Sequence, residues 1–133
     1  MVPSDFLKHV LPGKGVYCAF IGKRNRFFST IELLSEAVLA ADSKNVPTYY
    51  AVASFRDGSS RKQANVLNIK AIAADIDCGP GKHYPSKKAG AEALLGAITK
   101  LSLPSPTLVD SGNGLHAYWT LTRPLPNLSL IHI

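Results

Sequence analysis

Acidic side chains are scarce and unevenly spread. Nine Asp and Glu stand against 15 Lys and Arg, and none follows Asp110. The formal net charge is +6 and the pI about 9.5. They favour an anionic partner, nucleic acid or nucleotide first and a membrane surface second. Cysteine is nearly missing: Cys18 and Cys78 lie far apart with no C-x-x-C spacing. Neither a disulfide framework nor a zinc site is indicated, and a reducing cytoplasm fits. No apolar run reaches the length of a membrane span. Pro3, Asp5 and Lys8 interrupt any signal-peptide core, so neither a spanning segment nor a leader is expected. What remains is ample for a core: 46% of residues are hydrophobic, mean hydropathy is +0.06, and 133 residues make one domain's worth.

The most informative stretch is Lys70-Ala-Ile-Ala-Ala-Asp75-Ile-Asp77-Cys78-Gly79-Pro80-Gly81. Its apolar, partly β-branched run reads as a strand, and Gly79-Pro80-Gly81 stops it. Side chains alternate across a strand, so Asp75 and Asp77 share a face with the small Ala71 and Ala73. Two carboxylates there repel unless a cation lies between them, and a hard divalent ion, Mg²⁺ or Mn²⁺, suits oxygen donors. An Asx cap or a solvated strand end is the plainer explanation of the same two residues.

Residues 15–22 read as a strand, Lys23-Arg24-Asn25-Arg26 as a basic turn and Phe27-Phe28 as the start of a return strand. Ser29-Thr30-Ile31-Glu32 has the capping-box pattern with Ser29 as cap. Apolar residues at Ile31, Leu34, Ala37, Val38 and Ala41 predict a helix from there to about Asn45. A strand over 48–55 follows; its Tyr49 and Tyr50 read as core and rim aromatics rather than base-stacking platforms. The 56–68 loop is long and polar, and its Arg56, Arg61 and Lys62 fit either phosphate contact or a solvated loop. Ser86 is placed to cap a second helix with Ala89, Ala93, Leu94, Ala97, Ile98 and Leu101 on its apolar side.

The last informative stretch is Thr107-Leu-Val-Asp110-Ser111-Gly-Asn113-Gly114-Leu-His116-Ala-Tyr-Trp119. Asn113-Gly114 predicts a hairpin turn. On the return strand Leu115, Ala117, Trp119 and Leu121 alternate with His116, Tyr118 and Thr120, so the first set faces the core and His116 faces the other way. No helix start follows the glycines, which argues against a phosphate loop, and no nucleophile elbow surrounds Ser111. His116 can serve as a metal ligand or as a contact to the phosphate or sugar of a nucleotide.

Asp75-Ile-Asp77 on a strand, then a helix, then Ser111-Gly-Asn-Gly-Leu-His116 on a hairpin resembles the archaeo-eukaryotic primase superfamily, in particular its phage and plasmid primase-polymerase or replication-protein branch. Ala53-Ser-Phe-Arg56 and Ser59-Ser-Arg61-Lys62 are similar to the phage branch, and the resemblance spans about residues 5–123. It implies an α+β fold: an RRM-like, mostly antiparallel sheet with two flanking helices, forming one primase-polymerase domain over 1–133 with an irregular tail over 124–133. It also implies a metal-dependent DNA primase or polymerase, a nucleotidyltransferase that joins nucleoside triphosphates on a DNA template in phage or plasmid replication alongside a replicative helicase, and not at a membrane. Asp75 and Asp77 would then hold two divalent ions. His116 would complete the catalytic set and, with Ser111, bind the nucleotide's phosphates; Arg56, Arg61 or Lys62 would share that load. The family's third carboxylate has no counterpart after Asp110, so the chain is expected to be a C-terminally truncated, incomplete form of the core. A non-catalytic nucleotide- or nucleic-acid-binding module is the alternative. A nuclease or phosphodiesterase would want more histidine ligands than His116.

Overall fold

Hydroxyl side chains start two of the helices. In a computed structural model that describes residues 3–127, Thr30 precedes α2 (Ile31–Ser43) with an extended backbone, and its hydroxyl accepts from the Leu33 N–H at 3.1 Å. The cap falls one residue later than the predicted Ser29 box. Ile31 and Leu34 are buried, so the first turn must begin at Ile31 and the residue before it takes the cap. Glu32 is thereby free to pair with Lys8 of α1 (Pro3–Val10), Oε1 to Nζ 2.9 Å. Ser86 caps α3 (Lys87–Leu101) as expected, accepting from the Ala89 N–H at 3.1 Å. A left-handed Ser102 ends that helix, with the Leu103 N–H donating to the Ile98 carbonyl.

The fold is α+β, with three α-helices among the described residues. The chain divides into two compact units, Met1–Ala71 with Leu121–Ile133, and Ile72–Thr120. The strands form two sheets rather than one, ordered β2-β1-β3 and β4-β5-β7-β6.

The first unit holds α1, β1 (Tyr17–Ile21), β2 (Arg24–Phe28), α2, β3 (Thr48–Tyr50), β4 (Ser54–Phe55), a 3₁₀ turn (Gln63–Asn65) and the start of β5 (Val66–Asp77). Leu7, Val10, Leu11, Tyr17, Cys18, Ala19, Leu34 and Phe55 are buried. Leu7 and Val10 give α1 an apolar side to bury. The predicted 48–55 strand breaks at 51–53. β3 pairs with β1, while Phe55 reaches Val66 of β5 and bridges to Val16, so one extended run serves two sheets. The basic tip is a tight turn at Gly22-Lys23, since Ile21 pairs with Arg24; Arg24 and Arg26 therefore lie on β2 itself. Lys23 takes φ 70 there, a left-handed backbone that a side chain disfavours.

The second unit holds the end of β5, α3, β6 (Thr107–Asp110) and most of β7 (Gly114–Pro126). Its buried residues are Cys78, Gly90, Gly114, Ala117 and Tyr118. α3 approaches most closely at Gly90, where an added Cβ would lie 2.6 Å from Cys78 Sγ. Leu94 and Ile98 are half-buried, and Leu101, at the end away from that contact, is exposed. Trp119 is half-buried, its indole N–H donating to the Pro104 carbonyl at 2.8 Å. Tyr118 is buried too, so the face opposite Ala117 is not wholly solvated.

Residues 124–126, expected in an irregular tail, continue β7; 128–133 lie outside the described residues. The Asn127 N–H donates to the Leu67 carbonyl of β5. Donors alternate sides along a strand, so the nitrogens of Pro124 and Pro126 face away from β5 and cost the ladder nothing. Lys23→Gly should remove the left-handed penalty at the hairpin tip and raise stability by roughly 1 kcal/mol, read as a higher denaturation midpoint.

Candidate functional site

β5 presents its two carboxylates where the strand is leaving the core. Asp75 and Asp77 are exposed on one side, with Ala71 and Ala73 behind them on the same face. Immediately afterwards the chain folds back into a small closed loop. The Gly79 N–H donates to the Tyr84 carbonyl at 2.9 Å, the Lys82 N–H to the Gly79 carbonyl at 3.0 Å, and Cys78 bridges to Tyr84. That loop holds Lys82 Nζ 3.1 Å from Asp77 Oδ2. Lys82 is a site residue that sequence reasoning passed over; a cation five residues after a lone acidic pair was its only signal.

His116 stands on β7, the neighbour of β5 in the sheet. Its Nε2 lies 3.4 Å from Asp75 Oδ1, and its Nδ1 lies 3.4 Å from the Tyr118 hydroxyl. The ring is thus oriented from both nitrogens, on the polar face where the alternation of 115–121 places it. A neutral ring protonated at Nε2 donates to Asp75 and leaves Nδ1 to accept from Tyr118. The Asp75 side chain keeps 77% of its surface open, so its oxygens remain accessible to a ligand.

The hairpin that delivers His116 is built differently from the Asn113-Gly114 turn the sequence suggests. Asp110 pairs with Leu115 and the Ser111 N–H donates to the Gly114 carbonyl at 3.0 Å, so Gly112 and Asn113 are the central residues. Gly112 carries the positive φ, +91°. Gly114 has another task. A Cβ there would overlap the Ile76 carbonyl oxygen and lie 3.2 Å from the Asp77 Cα. The Cys78 N–H donates to the Asn113 carbonyl at 3.1 Å beside it. Main chain touches main chain at this point, and the register of His116 against Asp75 follows.

Ser111 is exposed in this turn. Asp110 is committed to structure: its carboxylate meets Lys87 Nζ at 2.8 Å and accepts from the Gly112 N–H at 2.8 Å. The Lys87 contact, and then the Gly112 N–H, hold its pKa below the usual carboxylate value. Arg56, Arg61 and Lys62 belong to the first unit. Their loop is tied down rather than loosely solvated. The buried Asn65 side chain donates to the carbonyls of Asp57 and Ser60, and the Asp57 carboxylate accepts from the Ser59 N–H. The Arg61 guanidinium lies 5.1 Å from the centroid of the Phe20 ring.

Two carboxylates on an open strand face are the donor set of a magnesium-type ion that takes its remaining ligands from water and substrate phosphate. Asp75 and Asp77 fit that use. Among the described residues no group of three or more His, Cys, Asp or Glu is placed to hold a metal ion, so the pair would depend on water and phosphate for its other ligands.

Gly114→Ala should destabilise the Ile72–Thr120 unit by roughly 1–3 kcal/mol or more, because backbone and not a flexible side chain must give way; chemical denaturation reads this directly. Asp110 ionises in the folded chain below its ordinary value. Its share of stability is therefore complete above that ordinary value and is lost as pH falls through the lower folded one. In an NMR titration Lys87→Met should move the Asp110 midpoint upward.

No family model, no curated protein and no solved structure matches this chain.

Proposed function

We propose that the Ile72–Thr120 unit carries the nucleotide site of a primase-polymerase-type nucleotidyltransferase with an RRM-like core. The observation that supports this reading most is the placing of Asp75, Asp77 and His116 on one open face, with His116 3.4 Å from Asp75. Asp75 and Asp77 would hold Mg²⁺ or Mn²⁺, which supplies charge neutralisation for a triphosphate and acidifies an attacking hydroxyl when bound. With Asp75 turned to the ion, the His116 Nε2–H is released to donate to a phosphate oxygen, while Tyr118 still orients the ring through Nδ1. The exposed Ser111 hydroxyl offers a second donor at the hairpin end of the same strand. Lys82 neutralises Asp77 when no substrate is present and is free to turn to phosphate when an ion takes its place. A DNA template and a replicative helicase are the macromolecular partners this chemistry calls for.

A second reading is a module that binds nucleotide or nucleic acid without turnover. It is favoured by Asp110, the last acidic residue of the sequence, which is spent on Lys87 and Gly112 and adds no third carboxylate to the pair.

Calorimetric titration with a deoxynucleoside triphosphate separates the two. Binding in Mn²⁺ that vanishes in EDTA supports a metal-dependent enzyme site; equal binding in both supports the module. Asp75→Ala and Asp77→Ala should each abolish the Mn²⁺-dependent part with little change in melting temperature. His116→Ala should weaken triphosphate binding more than Mn²⁺ binding, and the reverse order would make His116 a metal ligand. Unchanged Mn²⁺-dependent binding in both aspartate variants would overturn the site.

A further inference from the structure

The β2-β1-β3 sheet carries an aromatic and cationic row that the nucleotide site does not use. Phe20 of β1 pairs with Asn25 of β2 on one side and with Tyr49 of β3 on the other. Directly paired residues share a face, so these three side chains stand in line across the sheet. Ala19, facing the other way, is fully buried, whereas Tyr49 is 67% exposed, the most exposed large hydrophobic side chain among the described residues. Arg61 is layered over Phe20 at 5.1 Å. Beside it, Asn25, Ser59, Ser60, Arg61 and Lys62 line an open cleft of about 530 Å³. The acid of that loop, Asp57, is occupied by the Ser59 N–H.

An exposed aromatic ring is costly to leave in water, and a guanidinium held over a second ring offers another flat surface next to it. Nucleobases stack on both kinds of surface, and the phosphates linking them need cations, which Arg61 and Lys62 provide. The chain's +6 charge suits the same partner. Bases reach such a surface only when they are not paired. We propose that this face binds single-stranded nucleic acid, with one base stacked on Tyr49, the next on the Arg61 guanidinium that Phe20 positions, and the connecting phosphates on Arg61 and Lys62. In this proposal Tyr49 is a stacking platform, whereas its residue type alone reads as a core or rim aromatic. Neither Asp75 nor Asp77 takes part, so the surface stands or falls independently of the nucleotide site.

The test is fluorescence anisotropy of a labelled oligothymidylate of about twelve nucleotides, long enough for one such surface, with the whole chain in EDTA. Binding that weakens as salt rises is expected, and Tyr49→Ala should weaken it roughly five-fold or more while Tyr49→Phe stays within about two-fold. Arg61→Gln should weaken binding and lower the salt slope by about one. An oligouridylate arm separates RNA from DNA; tighter binding of either supports the surface and names its ligand. Equal affinity of Tyr49→Ala and the parent, no oligonucleotide binding at low salt, or tighter binding of a duplex of the same length would each overturn it. If Tyr49→Ala melts early, Arg61→Gln decides, and an unchanged affinity and slope there would overturn the proposal as well. Loss of triphosphate binding with oligonucleotide binding intact would fell only the nucleotide site.

Discussion

Main-chain contact between Gly114 and the Ile76 carbonyl governs the second unit. With no side chain at Gly114, the start of β7 comes against the end of β5, and the Asn113 carbonyl receives the Cys78 N–H in the same place. Strand alternation then carries His116 to the carboxylate face and Ala117 to the opposite one. Asp75, Asp77 and His116 need no further device to be brought together. Their arrangement belongs to a strand pair rather than to a loop, and strand-borne groups hold their geometry better than loop-borne ones.

Electrostatics supplies the second constraint. Asp75 and Asp77 stand two residues apart on one face, and each has found its own answer: a histidine from the neighbouring strand and a lysine from the following loop. Lys82 is exposed and His116 half-buried, and neither contact locks the carboxylates against a metal cation. Asp110 is the contrast. Its partners are a helix residue and a turn N–H, and it behaves as part of the scaffold.

What the sequence revealed, and what it hid, follows from the range of the interactions involved. The Asp75/Asp77 face, the orientation of His116, the Ser86 cap and the span of α2 depend on alternation and helical spacing within a few residues, and all are readable locally. The position of the α2 cap depended on which of two adjacent hydroxyls preceded the first buried turn. Gly114 was recognised as special but for the wrong reason, since its neighbour Ile76 is distant in sequence. The break at 51–53 arises because one extended run must pair with β1 and then with β5, a demand no local pattern records. Lys82 escaped notice because a loop lysine has a meaning only once the loop is known to close at Tyr84. The two-sheet arrangement was hidden for the same reason as the break. Tyr49 shows the limit of residue-type reasoning: a tyrosine there reads equally as core or rim, and the pairing of β3 with β1 leaves it open.

The two prolines near the end of β7 have a consequence for how this chain behaves among its own copies. β6 is a short edge strand, and past its pairing with 115–118 no strand among the described residues pairs with the outer side of β7. An open strand edge is a template on which another chain can add a strand and begin aggregation. Pro124 and Pro126 turn nitrogens without hydrogens toward that side, so an incoming strand would find carbonyls but no donors over this length. The edge is blunted at these two positions, which works against strand-on-strand growth there.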